Sequence, residues 1–328
     1  MLIDDERVIN MNVIENGENI SILKMFGDVI SDHEYITNPA IAREKELKEL
    51  LLTMLTPEKS AILVGPAGSG KTAVVEGVSY LMQKGDVPEA LKGYKIIKIS
   101  SSALIGKIEN NGQEEHKLNM LIDEVKRTSK MILFLDEIHT LIGAKGSGPM
   151  DFANMLKPAL DRGDIKVIGA TTTREYQQYV ITDKAFLRRF LTVEINEPDK
   201  KTTAKILVGT MPKIEAKTNV KWEYSDHLAN KLAAFIVEMT SQYKRLVGIS
   251  SNYPDISLAI LANIFSYALY DNRHTVSMED IKDGIINAQS VYPDVLVKEI
   301  HKFEEAFKSP LAEENVEVII PEKLKREN

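Results

Sequence analysis

The chain has no cysteine, which removes disulfide staples, thiolate zinc sites, thioredoxin-like exchange and cysteine nucleophiles together. Its amino terminus, Met1-Leu2-Ile3-Asp4-Asp5-Glu6, carries acids early and lacks both the apolar stretch of a secretory signal and the arginines of a transit peptide. Long hydrophobic runs are missing as well. The longest, Leu258 to Tyr270, is interrupted by Asn263 and Ser266 and falls short of the roughly 20 residues that a membrane helix needs. These absences predict a cytoplasmic chain without a membrane partner. Nor is there an excess of positive charge: 48 acidic against 41 basic side chains leave a net charge of −7. The field of the whole molecule therefore does not draw it to nucleic acid, although a local basic loop could still contact phosphate. No repeat and no low-complexity tract is present. What remains, 44% hydrophobic and 27% charged over 328 residues, is an ordinary globular composition, with room for about two domains at roughly 150 residues each.

Short aliphatic runs alternate with helical patterns through the first two-thirds of the sequence, the pattern of a parallel sheet covered by helices. Five runs qualify as strands buried on both faces: Ala61 to Val64, Lys95 to Ser100, Met131 to Leu135, Lys166 to Ala170 and Leu191 to Ile195. Between them, Val74, Val75, Val78, Leu81 and Met82 recur at helical spacing, as do Leu118, Leu121, Ile122 and Val125. After Pro198 the pattern becomes wholly helical, with helices expected over Thr202 to Ile214, Asp226 to Tyr243, Asp255 to Tyr270 and Met278 to Gln289. The last of these opens on a Ser277-x-x-Asp280 capping box. The expected organisation is an amino-terminal extension (1–35) with one short helix near Ile20 to Val29, an α/β domain (36–198), a small all-helical domain (199–295) and a carboxy-terminal extension (296–328). In that last stretch Val316 to Ile320 reads equally as a strand, a docking peptide or disorder.

Gly65-Pro66-Ala67-Gly68-Ser69-Gly70-Lys71-Thr72 fits G-x-x-x-x-G-K-[ST], directly after one expected strand and opening one expected helix. Such a loop turns its backbone N–H groups toward phosphates. Lys71 adds a cation for the β and γ phosphates, and the Thr72 hydroxyl is a ligand for Mg²⁺. Met131 to Leu135 ends in Asp136-Glu137, the Walker B pattern. Asp136 is expected to hold Mg²⁺ and Glu137 to polarise the attacking water. The strand Val167 to Ala170 runs into Thr171-Thr172-Thr173, which sets hydroxyls at the carboxyl end of the sheet, with Thr172 the expected phosphate sensor. Arg188-Arg189 reads as a pair of cations on an exposed helix end. Other chemistries fail: there is no G-x-S-x-G, and His33-Glu34 lacks the second histidine of H-E-x-x-H. Asn230-Lys231 is followed by Leu232-Ala233 rather than the aspartate of a guanine-reading motif, which points to adenine rather than guanine.

On these residues the chain resembles the AAA+ ATPases, and most closely the first ATPase module of the Clp unfoldases and disaggregases. The resemblance rests further on Pro39-Ala40-Ile41-Ala42-Arg43-Glu44, Gly85-Asp86-Val87-Pro88, Ile138-His139-Thr140-Leu141-Ile142-Gly143, Asn154-Met155-Leu156-Lys157-Pro158-Ala159-Leu160 and Gly169-Ala170-Thr171-Thr172. It implies an α/β P-loop NTPase core with a five-stranded parallel sheet and a helical lid, ATP and Mg²⁺ as cofactors, and a homo-oligomeric ring, usually hexameric. It further implies adenine contacts at Ile41, a nucleotide contact at Asp255 in Tyr253-Pro254-Asp255, and Arg188 and Arg189 reaching the γ-phosphate of the adjacent subunit. Ala42 stands where the family has glycine, and Ile256 where a lysine is usual.

The segment that carries an aromatic pore residue in Clp unfoldases reads Gly106-Lys107-Ile108-Glu109-Asn110-Asn111-Gly112 here. The aromatic is absent, with Ile108 left as a small apolar grip. The length leaves space for one such module, so substrate recognition is expected from loops, the termini or a separate partner. The leading expectation is an ATPase that remodels or disassembles a protein partner. A nucleic-acid-associated ATPase, with Lys107, Lys145, Lys244 and Arg245 as its contacts, is the second reading, and an ATP-gated assembly scaffold the third.

Overall fold

The computed structural model describes residues 21–110, 113–128, 130–142, 156, 158–160, 163, 165–246 and 252–325. Its main sheet has six strands: β1 (Gly27–Val29), β2 (Ser60–Val64), β3 (Lys95–Ser100), β6 (Met131–Asp136), β7 (Lys166–Thr171) and β8 (Phe190–Glu194), in the order β1-β3-β6-β7-β2-β8. Five run parallel, at the expected positions within a residue or two. A sixth, antiparallel strand adds to the five: the helix read near Ile20 to Val29 stops at Phe26 (α1, Ile22–Phe26), and Gly27–Val29 pairs antiparallel with Ile97–Ile99. The apolar spacing there serves a short helix and then an edge strand, which no single period reports.

Alternate residues of each strand point to opposite faces, and each face is covered. Ala61, Leu63, Ile96, Phe134, Ile168 and Val193 pack with Leu47, Leu50, Val74, Val75 and Val78 from α2 (Glu44–Leu55) and α3 (Lys71–Lys84). Ile62, Val64, Ile97, Leu133, Leu135 and Val167 pack with Leu118, Leu121, Ile122 and Val125 from α4 (Lys117–Arg127). Between β3 and α4 the chain makes a separate antiparallel hairpin, β4 (Lys107–Asn110) with β5 (Gln113–His116), in register from Lys107↔His116 to Asn110↔Gln113. Asn111 and Gly112 lie outside the described residues. Ile108 is half-buried and packs against the core.

The extended link Ile195–Asp199 leads into helices Lys200–Thr218, Asp226–Met239, Asp255–Tyr270 and Met278–Ile286. These share one apolar core, and the chain beyond residue 295 belongs to it. Leu296, Ile300, Phe303, Phe307 and Leu311 are buried there, on helices Pro293–Ala306 and Lys308–Glu313 and the residue that joins them. Val316, Val318 and Ile320 pack against the same core, while Ile319 between them is exposed. No described helix is long and apolar enough to cross a membrane.

Candidate active site

Topology brings the sequence motifs together. β7 lies between β2 and β6, with Val64 opposite Thr171 and Leu135 opposite Gly169. The loop after β2, the acids after β6 and the threonines after β7 therefore emerge side by side at the carboxyl edge of the sheet. They open into a cleft of about 440 Å³ whose far wall is the lid. Ile41, Ala67, Gly68, Gly70, Lys71, Thr72, Asp136, Glu137, Thr172 and Asp255, all expected from the sequence, line it. Ile206, Gly209, Thr210, Lys213 and Leu258 complete it from the lid. Ile41 packs over Gly209, so the apolar end of the cleft is shared by the core and the helix Lys200–Thr218.

Gly65 and Ser69 are buried behind the loop. Gly65 is required by space, because a Cβ there would lie 2.0 Å from the Ile195 carbonyl oxygen. Lys71 folds back over the loop, donating to the carbonyls of Gly65 at 3.0 Å and Pro66 at 2.9 Å. Burial lowers its pKa, against the pull of Asp136 and Glu175. Asp136 accepts the Glu137 N–H at 3.1 Å and lies 3.4 Å from Lys98 Nζ. Glu137 is exposed and holds a left-handed backbone, φ 53°, an unfavourable conformation for a non-glycine residue that recurs at functional positions. A hydroxyl and a single carboxylate suit Mg²⁺, which keeps most of its shell as water and substrate phosphate. Among the described residues no group of three or more His, Asp or Glu could hold a metal by itself, so Thr72 and Asp136 fit the ion as a companion of the phosphates.

Arg188 and Arg189 are separated from this cleft and differ in exposure. They precede β8, where the Ser60 N–H donates to the Arg189 carbonyl at 2.9 Å, whereas the phosphate loop follows the opposite end of β2. At about 3.3 Å per residue, the length of β2 lies between them. Arg188 is exposed, and Lys59 Nζ donates to its carbonyl. Arg189 is only 5% exposed, which corrects the reading of both as cations on an open helix end.

Several site residues escaped the sequence reading. Glu175 lines the cleft and accepts from Thr172; the Thr172-x-x-Glu175 capping-box spacing was the available signal. Arg43, 7% exposed, donates through one Nη to the carbonyls of Ser69 at 2.8 Å and Asn196 at 2.9 Å. Opposite it, Asn252 donates to the Ala67 carbonyl at 3.2 Å. Glu197 accepts from Arg245 at 3.1 Å and from the Tyr253 N–H at 2.8 Å, and Arg245 stacks 4.4 Å from the Tyr253 ring. These bonds fasten the lid loop to the link and the phosphate loop. They depend on residues distant in sequence, so no local pattern announces them. Two of the proposed nucleic-acid contacts are likewise engaged within the lid: Arg245 in this network, and Lys244 with Glu299 at 3.0 Å. Lys107 pairs with Glu114 at 3.2 Å across the hairpin, and Lys145 lies outside the described residues.

Comparison with known proteins agrees with this geometry. Residues 61–196 match the family described as "ATPase family associated with various cellular activities (AAA)". The chain is 42% identical over 249 residues to the chaperone protein ClpB of Bacteroides thetaiotaomicron, covering 71% of this chain and 28% of that protein. It is 35% identical over 267 residues to the ATP-binding subunit ClpL of Staphylococcus aureus, covering 75% and 37%. The solved S. cerevisiae Hsp104-ADP complex superposes with a TM-score of 0.65 at 27% identity, covering 86% of this chain and 49% of that one. The chain thus spans between about a quarter and a half of the length of these relatives. The conclusion is that residues 61–196 form an AAA-type P-loop NTPase module and that the chain carrying it is Clp-like.

Proposed function

We propose that this protein is an ATP-hydrolysing, ring-forming AAA+ ATPase of the cytoplasm that remodels or disassembles a protein partner. The observation that carries the reading is the convergence of Lys71, Thr72, Asp136, Glu137 and Thr172 in one cleft closed by the lid. In this reading the loop amides and Lys71 bind the phosphates, and Ile41 with the lid helix takes the adenine. Thr72 and Asp136 hold Mg²⁺, which draws charge from the phosphate oxygens. Glu137 takes a proton from the attacking water. Because Arg188 stands beyond the far end of β2, it serves the cleft of another copy rather than its own. An arginine supplied in this way contributes about 10³ to 10⁵ in rate, which supports a ring as the active form.

The hairpin β4–β5 offers no aromatic side chain, so the partner is engaged differently from an aromatic-gripped polypeptide, through the hairpin's polar surface or through a separate protein. The nucleic-acid reading is weakened by the engagement of Lys107, Lys244 and Arg245 with acidic partners. Glu137→Gln tests the proposal. It should retain ATP, lose at least about 100-fold in turnover and trap an oligomer that can be sized and its copurifying partner identified. A wild-type protein without turnover at high concentration, or a variant that stays monomeric with ATP bound, counts against it.

A further inference from the structure

The cleft holds a carboxylate to which hydrolysis as described above gives no task. Glu175 lines the cleft together with Glu137, Thr171 and Thr172. On its Oε2 converge the Thr172 hydroxyl at 2.6 Å, the Thr172 N–H at 3.2 Å and His139 Nδ1 at 3.3 Å. In return the Glu175 N–H donates to Thr172 Oγ1 at 3.3 Å. His139 Nδ1 is also 3.1 Å from Thr171 Oγ1, so the histidine braces the group from behind.

A threonine hydroxyl has one hydrogen and two lone pairs. In Thr172 the hydrogen is committed to the Glu175 carboxylate and one lone pair to the Glu175 N–H. What is left is a lone pair. The γ-phosphate oxygens are anionic acceptors and need a donor, whereas a water molecule can donate to that lone pair. The polarity at Thr172 is therefore set for water rather than for phosphate.

We propose that Glu175 is a positioning residue that fixes the Thr172 hydroxyl as an acceptor for the hydrolytic water, so that Thr172 and Glu137 hold this water between them. The inference rests on the hydrolase reading of the cleft. As the water oxygen bonds to the γ-phosphorus and the bond to the ADP oxygen breaks, one proton passes to Glu137. The other stays on the oxygen that enters phosphate, directed at Thr172 Oγ1. The task requires an acceptor oxygen at Glu175, which the ionised carboxylate supplies. Burial raises its pKa, but the two bonds from Thr172, then His139 and Lys71, together hold it below the ordinary value.

The competing explanation is a helix cap alone, since Thr172 and Glu175 also form a capping box over a single turn, Thr173–Glu175. Turnover and equilibrium binding of a slowly hydrolysed ATP analogue, measured on the full chain, separate the two. Glu175→Ala should lower kcat about tenfold or more while analogue affinity is unchanged or tighter, because the freed Thr172 hydroxyl can then donate to phosphate. Glu175→Gln, whose amide oxygen accepts the same hydrogen, should recover most of that loss. The double variant with Thr172→Val should be no slower than Thr172→Val alone. If Glu175→Ala does not fold, Thr172→Val carries the test, with kcat lowered at unchanged analogue affinity; an affinity loss of about tenfold, as for a missing phosphate donor, overturns the inference. Wild-type kcat in Glu175→Ala, or kcat and affinity falling together with the melting temperature in both Glu175 variants, also overturns it while leaving the hydrolase reading intact. A wild-type chain without turnover removes that reading and the inference with it.

Discussion

Gly77 faces the entry segment of the cleft from α3, and two effects compete there. Helix propensity alone favours alanine by about 1 kcal/mol, but a Cβ would fall 2.4 Å from Ala40 Cβ and 3.0 Å from Asn38 Oδ1. A methyl group has no torsion with which to swing away, and overpacking costs about 1–3 kcal/mol. Gly77→Ala is therefore expected to destabilise the chain by about 1 kcal/mol in denaturant unfolding. It should also weaken ATP binding, because the displaced strand of chain carries Ile41. Ala42 presents the opposite case: its φ of 56° is left-handed, and the family's glycine is missing. Ala42→Gly should gain about 1 kcal/mol, and a loss in the same measurement would contradict the backbone assignment. At Glu175 the sign of the pH effect follows from its lowered pKa. Its stabilisation is complete above the ordinary value of 4.5 and disappears as the pH falls through the folded value. Acid unfolding should therefore show wild type and Glu175→Gln converging in stability over that window.

Among the elements, the lid loop is held by Arg245, which is 8% exposed, donates to the Thr240 carbonyl at 2.7 Å and pairs with Glu197. Breaking a buried pair by removing one partner costs about 3–5 kcal/mol, reduced here because Glu197 is a third exposed. Arg245→Ala is expected to lower stability by about 2–3 kcal/mol in a thermal melt. A nucleic-acid contact would instead leave the melt unchanged and weaken DNA binding alone. The parallel strands were legible because each is mostly aliphatic, and the phosphate loop because its residues are contiguous. The hairpin was less so. Asn111-Gly112 is a strong two-residue turn signal, but β4 and β5 read KIEN and QEEH, with too little apolar alternation to show a strand. β1 was missed for a related reason: three residues at an edge bury one face only in part, and the apolar spacing of α1 runs straight into them. Site residues on contiguous motifs could be named in advance. Arg43, Asn252 and Glu197 could not, because each acts through a backbone carbonyl or amide that is far away in sequence.

At the scale of the whole molecule, the helical unit depends on its last turns. Ile300, Phe303, Phe307 and Leu311 are all buried in it, and each contributes about 1.5–3 kcal/mol of burial. Truncation after residue 295 would remove about 6–12 kcal/mol, comparable to the entire stability of a typical domain. It should leave the lid unfolded, visible as a loss of helical circular dichroism and as proteolysis between residues 200 and 295. The net charge of −7 and the engaged lysines also predict no salt-dependent binding to duplex DNA, which a titration at low ionic strength would check. The buried guanidinium of Arg43 has a consequence on this scale. Its one nitrogen grips both the wall of the phosphate loop and the first stretch of the link to the lid. A shift of the loop by a fraction of an ångström must therefore either drag the link with it or break one of two charged bonds. The route from phosphate loop to lid thus runs through side chains rather than through the sheet: Arg43 ties the loop to the start of the link, and Asn252 ties it to the lid loop.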